Sequence, residues 1–104
     1  MNFLSEQDIY TNCTIIKEEI ETDVSFEDGY ALAKYLQRLS SYLGTISFTN
    51  ASSIYNYQTK KTPESIALKK YTEEISDKIN KRISAIQTNL NQLKAETFNS
   101  KYQK

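Results

Sequence analysis

This sequence predicts an all-α fold, a short N-terminal helix packed on a long antiparallel αα-hairpin. Three observations carry that expectation. The 104 residues hold only two glycines and one proline, so β-turn punctuation is nearly missing. Apolar residues recur at spacings of three and four along most of the chain. A helix start signal precedes each apolar stripe. The length fits one domain, residues 1–104.

The first helix is expected over about residues 5–22. Ser5 supplies an N-cap hydroxyl, and Asp8 an acid for the free N–H groups of the first turn. Ile9, Cys13, Ile16 and Ile20 then lie on one face. The second helix is expected over about 25–58, with Ser25 as its cap and Asp28 three residues on. Its stripe reads Leu32, Leu36, Leu39, Leu43, Ile46, Asn50, Ile54, Tyr57. Gly29 and Gly44 each cost about 1 kcal/mol against Ala in a helix interior.

Thr62-Pro63-Glu64 opens the third helix, about 63–98, with a cap hydroxyl, proline at the first helical position and an acid next. Its stripe is Leu68, Tyr71, Ile75, Ile79, Ile83, Ile86, Leu90, Leu93. Residues 99–104 read as a mobile tail. Each long stripe covers twenty-five residues in seven steps, about 3.57 per step, between a supercoiled heptad and a straight helix. The short polar link Gln58–Thr62 makes the two helices, each about 50 Å long, antiparallel.

The second helix holds the most unusual stretch. From Leu39 to Thr59 no residue is charged. Its Ser, Thr, Asn and Tyr content excludes a membrane span despite the length. Soluble helices normally place charges on their wet face, so this stretch is expected to be covered. Placed at about 100° per residue, Ala33, Ser40, Gly44, Ser47 and Ala51 form a ridge of small side chains that lets another helix approach closely. Phe48 and Tyr55 lie on the outer face, one heptad apart. The candidate oligomer interface is therefore Phe48, Tyr55, Gly44, Ser47, Ala51 and Asn50. Asn50 either faces its symmetry mate and fixes register or reaches solvent at the edge. Three helices of one chain close a core at the Ala33–Leu43 end, which leaves a bare hairpin tip near Tyr57 and Ile66. Self-association would cover that tip.

Thirteen basic and thirteen acidic residues cancel, yet they are unevenly placed. Residues 1–33 hold eight acids against one base, net −7; residues 34–104 hold twelve bases against five acids, net +7. The acidic end is expected to lie against the basic remainder, of its own hairpin or a neighbour's. Glu74–Lys78 and Asp77–Lys81 are ordinary i,i+4 pairs. Cys13 is the lone cysteine, on an apolar face, which suits a small buried hydrophobe. Met1–Leu4 lacks the basic start and apolar run of a signal peptide, so the cytoplasm is the expected compartment.

Catalytic chemistry finds no support. There is no His, and one Cys cannot build a Cys/His metal site. Glu18, Glu19, Glu21 and Asp23 spread around the helix instead of converging on a cation. No Gly-rich phosphate loop occurs. We therefore expect no enzyme, no metal and no cofactor. Lys60 and Lys61 with Tyr55 and Tyr57 are the candidate contacts for nucleic acid or a cyclic nucleotide, a ring stacking on Tyr while Lys meets phosphate. The alternative for these four is a solvated turn.

Tyr35-Leu36, Leu39-Ser40, Ser84-Ala85-Ile86-Gln87-Thr88 and Leu93-Lys94-Ala95-Glu96 carry a resemblance. Over about residues 30–96 the patterning resembles that of small helical-hairpin proteins encoded in early or accessory regions of tailed phages. The resemblance implies a viral source and the host cytoplasm. It implies a role such as binding a host or phage protein, aiding recombination, or counter-defence by sequestering a nucleotide signal. The reading is of a non-enzymatic homo-oligomer that binds a macromolecular partner. The alternatives are a binder of nucleic acid or of a nucleotide messenger, and a structural virion component.

Overall fold

The computed structural model describes residues 2–102, with side chains through Glu96. It is all-helical, three helices in chain order: α1 (Glu6–Ile20), α2 (Gly29–Lys60) and α3 (Pro63–Tyr102). The molecule is a rod of 65 × 23 × 19 Å, as 40 residues of α3 at about 1.5 Å each require.

Ser5 caps α1 as expected, its Oγ accepting from Asp8 N–H at 3.2 Å. The cap of α2 differs. Asp28, not Ser25, holds it, with Oδ1 accepting from Ala31 N–H at 3.1 Å. The Ser25 hydroxyl is spent on Glu27 N–H, two residues on, inside the turn that swings Phe26 back onto the core. At the other end α2 runs to Lys60, and Lys61 alone turns the chain, in the left-handed region at φ 52°, ψ 34°. The Lys61 N–H still donates to the Tyr57 carbonyl. Thr62 and Ser65 then cap each other: Thr62 N–H donates to Ser65 Oγ, and Ser65 N–H to Thr62 Oγ1. The backbone of α3 stays helical to Tyr102, past the expected fraying point at Phe98. Residues 103–104 of the expected tail lie outside the described residues.

The hairpin seam is the main departure. On α2 the inward positions are Leu32, Tyr35, Leu39, Tyr42, Ile46, Thr49, Ser53 and Asn56, alternating steps of three and four. On α3, Ser65, Leu68, Thr72, Ile75, Ile79, Arg82 and Ile86 step the same way, Leu68 and Arg82 half-buried. Both are strict heptads, the geometry of a left-handed antiparallel coil. The expected α3 stripe holds, its Ile75, Ile79, Ile83 and Ile86 buried. The expected α2 stripe shares Leu32, Leu39 and Ile46 with the seam, but at its other positions the seam lies one residue earlier, so Leu43 and Ile54 are exposed. Thr49, Ser52, Ser53 and Asn56 are buried in their place.

Two causes act together. The most apolar face of α2 is not the one that meets both neighbours, because α1 sits in the groove beside the seam. And buried hydroxyls satisfy themselves: Thr49 Oγ1 donates to the Thr45 carbonyl at 2.6 Å and Ser53 Oγ to that of Asn50 at 2.8 Å. Their small volume then lets three helices close up.

α1 runs antiparallel to α2 and parallel to α3, starting at the hairpin tip. Leu4 N–H donates to Ser52 Oγ, and Glu6 pairs with Lys60 at 2.9 Å. Midway, Asn12 Nδ2 donates to Thr49 Oγ1, and Thr14 meets the Tyr71 hydroxyl at 3.4 Å. At the far end the Tyr35 hydroxyl is shared by the carbonyls of Glu19 and Ile20, and Arg82 reaches the Thr22 carbonyl. α1 therefore enters at the expected bare tip and leaves at the middle, covering the α2 side of the tip while Ile66 on α3 stays 40 % exposed. Ile9, Cys13 and Ile16 are the buried face of α1.

Candidate interaction surface

The acids of α1 meet bases of the same chain. Glu6 pairs with Lys60, and Glu19 lies 3.8 Å from Arg38. The Lys60 hydrogen bond, with Asn56 second, holds the Glu6 carboxyl below the usual carboxylate range. Arg82 lies between two rings, 5.3 Å from Phe26 and 5.5 Å from Tyr35, and ties the Glu21–Asp28 link to the bundle. Burial pushes the Cys13 thiol up to about 11, so it stays protonated.

With the inward face of α2 assigned, its outward face can be read. Ala33, Ser40, Gly44, Ser47 and Ala51 are all exposed. A Cβ built on Gly44 would meet nothing within 4 Å. The small-residue ridge is a valley, with no helix of its own chain in it. Leu43 (38 % exposed) and Ile54 (37 %) rise on one side, Phe48 (38 %) and Tyr55 (49 %) on the other. Past Ile46 α2 is inverted: the hydroxyls of Thr49, Ser52 and Ser53 and the Asn56 amide point inward, and Phe48, Ile54 and Tyr55 point out. No charge interrupts the face from Leu39 to Thr59.

Phe48 and Tyr55 are not bare. The Phe3 ring lies 4.6 Å from Tyr55 and 6.1 Å from Phe48, within 22° and 17° of parallel. Asn50 is turned to the hairpin, half-buried, and accepts from Thr72 Oγ1 at 3.3 Å. Five of the six candidate interface residues thus share the outer face, while Asn50 ties α2 to α3.

The four candidate nucleotide contacts are divided. Tyr55 and Lys60 share a cleft of about 520 Å³ with Phe3, Glu6, Asn56 and Thr59. Tyr57 lies half-buried elsewhere, with the Lys69 ammonium 5.6 Å from its ring centre, and Lys61 is on the exposed turn. Sequence reasoning missed Phe3, Glu6 and Asn56. The charge asymmetry between the two ends of the chain signalled the Glu6–Lys60 pair in outline. Nothing signalled Phe3, because a ring two residues before a cap fits many partners.

Comparison with known families, with characterised proteins and with solved structures found no match. Among the described residues, no helix is long and apolar enough to cross a membrane.

Proposed function

We propose that this protein is a non-enzymatic binding protein that pairs with a second copy of itself through the outer face of α2. The inversion of α2 carries the reading: Leu43, Phe48, Ile54 and Tyr55 face out while Thr49, Ser52, Ser53 and Asn56 face in. Large apolar side chains exposed together on one charge-free helix face mark an interaction surface. The second copy is favoured because the face carries both knobs and a valley, so it is self-complementary, as a two-fold contact requires. It also offers a charged partner nothing to pair with.

Light scattering tests this directly. A mass near twice 12.0 kDa supports it, and so does loss of that mass in Gly44→Glu or Ala51→Glu. A monodisperse monomer overturns it.

The paired protein then works by holding a macromolecular partner. From the patterning of about residues 30–96 we infer a phage accessory or counter-defence protein in the host cytoplasm. Capture of a defined host or phage protein on the purified dimer supports that role; recovery only within assembled particles points to a virion component instead. A nucleotide-binding role has one supporting observation, the shared cleft of Tyr55 and Lys60. A thermal shift with cyclic dinucleotides checks it.

A further inference from the structure

Two rings one heptad apart on a helix stand about 10.5 Å apart, which leaves room for one more ring between them. Phe3 lies nearly parallel to both Phe48 and Tyr55, 6.1 and 4.6 Å away, and so fills that slot. Three residues on, the Glu6 carboxylate takes the Lys60 ammonium at 2.9 Å. Asn56 lies at the foot of the same cleft, only 7 % exposed. Its Nδ2 is near enough to lower the Glu6 pKa but makes no hydrogen bond of ordinary length. The cleft thus recognises two features: a flat ring, and an anion three residues later.

The present occupant is lightly held. Residues 2–5 precede α1 and are not helical; Leu4 anchors them through its N–H on Ser52 Oγ and its side chain on the core, while the Phe3 ring is held only by stacking. A surface ring stack and an exposed ion pair are each weak. α1 itself stays seated through Ile9, Cys13 and Ile16, so Phe3 and the Glu6 side chain can leave without it.

We propose that the slot between Phe48 and Tyr55, with Lys60 and Asn56 at its foot, is a docking site for a partner-protein segment bearing an aromatic residue three positions before an acid. In the free chain its own Phe3 and Glu6 close it. The inference rests on reading the outer face of α2 as an interaction surface, but not on self-pairing. A peptide is favoured over nucleic acid by charge. Among the described residues Lys60 is the one cation lining the cleft, and the α2 face beyond carries no charge, so a phosphate backbone would have no track to follow.

The test uses a fluorescent peptide with the sequence of residues 1–12, a ten-nucleotide oligo-dT, and full-length protein. Phe3→Ala with Glu6→Gln should bind the peptide at least tenfold more tightly than wild type. Adding Tyr55→Ala or Lys60→Ala should reverse the gain, and a peptide with Ala at its third position should not bind. No saturable binding, binding indifferent to Tyr55→Ala, or tighter binding of oligo-dT overturns the proposal. If the double variant melts early, Glu6→Gln alone must still bind the peptide more tightly than wild type, and equal binding overturns it. Light scattering of the same samples separates the two readings. Failure to bind peptide at unchanged dimer mass removes only the slot; a monomeric mass with peptide binding intact removes only the self-pairing.

Discussion

Leu39, Ile79 and Ile86 close the middle of the bundle with hydrocarbon, whereas Thr49, Ser52, Ser53, Asn56, Ser65 and Thr72 close its tip with hydroxyls and an amide. Both regions are fully packed, but they stabilise differently. Aliphatic burial gains about 25 cal/mol per Å² removed from water. A buried hydroxyl bonded to its own helix gains little net, because it only exchanges water for a carbonyl. The tip is thus closed by shape and hydrogen bonding more than by the hydrophobic effect. That releases the large apolar residues of α2 at that level, Phe48, Ile54 and Tyr55, to face outward. Stability is concentrated in one region, and the surface available for recognition in the other.

Truncation in the middle should break the comparison most severely. Ile79 is fully buried, and Ile79→Ala should cost about 3 kcal/mol through lost transfer energy and a cavity. Urea unfolding followed by circular dichroism measures it. A cost below about 1 kcal/mol would mean that this region is no more stabilising than the tip.

The tip should respond less, and non-additively. Thr72 Oγ1 meets Ser53 Oγ at 2.8 Å, and its one proton has the Lys69 carbonyl at 2.9 Å and Asn50 Oδ1 at 3.3 Å as acceptors. Thr72→Val leaves Asn50 and Ser53 short of a partner, and should cost about 1–2 kcal/mol. Ser53→Ala with Thr72→Val removes both hydroxyls, and should cost less than the two single changes added. Strict additivity in the same urea experiment would show that the hydroxyls do not act as a unit.

The turn joining the helices is smaller again, and opposite in sign. Lys61 sits at φ 52°, where a side chain costs about 1 kcal/mol that glycine avoids. Lys61→Gly should therefore raise stability by up to about 1 kcal/mol, less the extra entropy glycine brings to the unfolded chain. An unchanged melting temperature would mean that these two terms cancel.

These differences also explain what the sequence could reveal. The helices, their order and the α3 stripe were legible because Ile75, Ile79, Ile83 and Ile86 sit on an unbroken apolar face, and Pro63 marks its start. The α2 seam was legible only at Leu32, Leu39 and Ile46, where apolar spacing and packing coincide. Counting apolar residues selects Leu43 and Ile54 for the core, but packing selects Thr49 and Ser53, whose hydroxyls are satisfied inside their own helix, and Asn56, whose amide lies against Glu6. The Gly44–Ser47–Ala51 ridge and the outward Phe48 and Tyr55 were legible because no charge stands beside them. Phe3 was not, since its neighbours come from α2, far along the chain.

The smallest effect lies at the outermost contact of the tip. Glu6 is partly exposed, and its carboxyl is held below the usual range first by the Lys60 hydrogen bond, then by Asn56. A depressed carboxylate contributes stability above its ordinary value of 4.5 and loses it as pH falls through the lower folded value. Glu6→Gln should therefore melt slightly earlier than wild type at pH 7, with the two curves converging as pH drops below about 4. Ile79→Ala, with no titrating group, should keep its full deficit over that range. Scanning calorimetry of both variants between pH 3 and 7 reads the contrast. A Glu6→Gln deficit as constant as that of Ile79→Ala would place the role of Glu6 in packing and remove the ion pair from the closure of the tip.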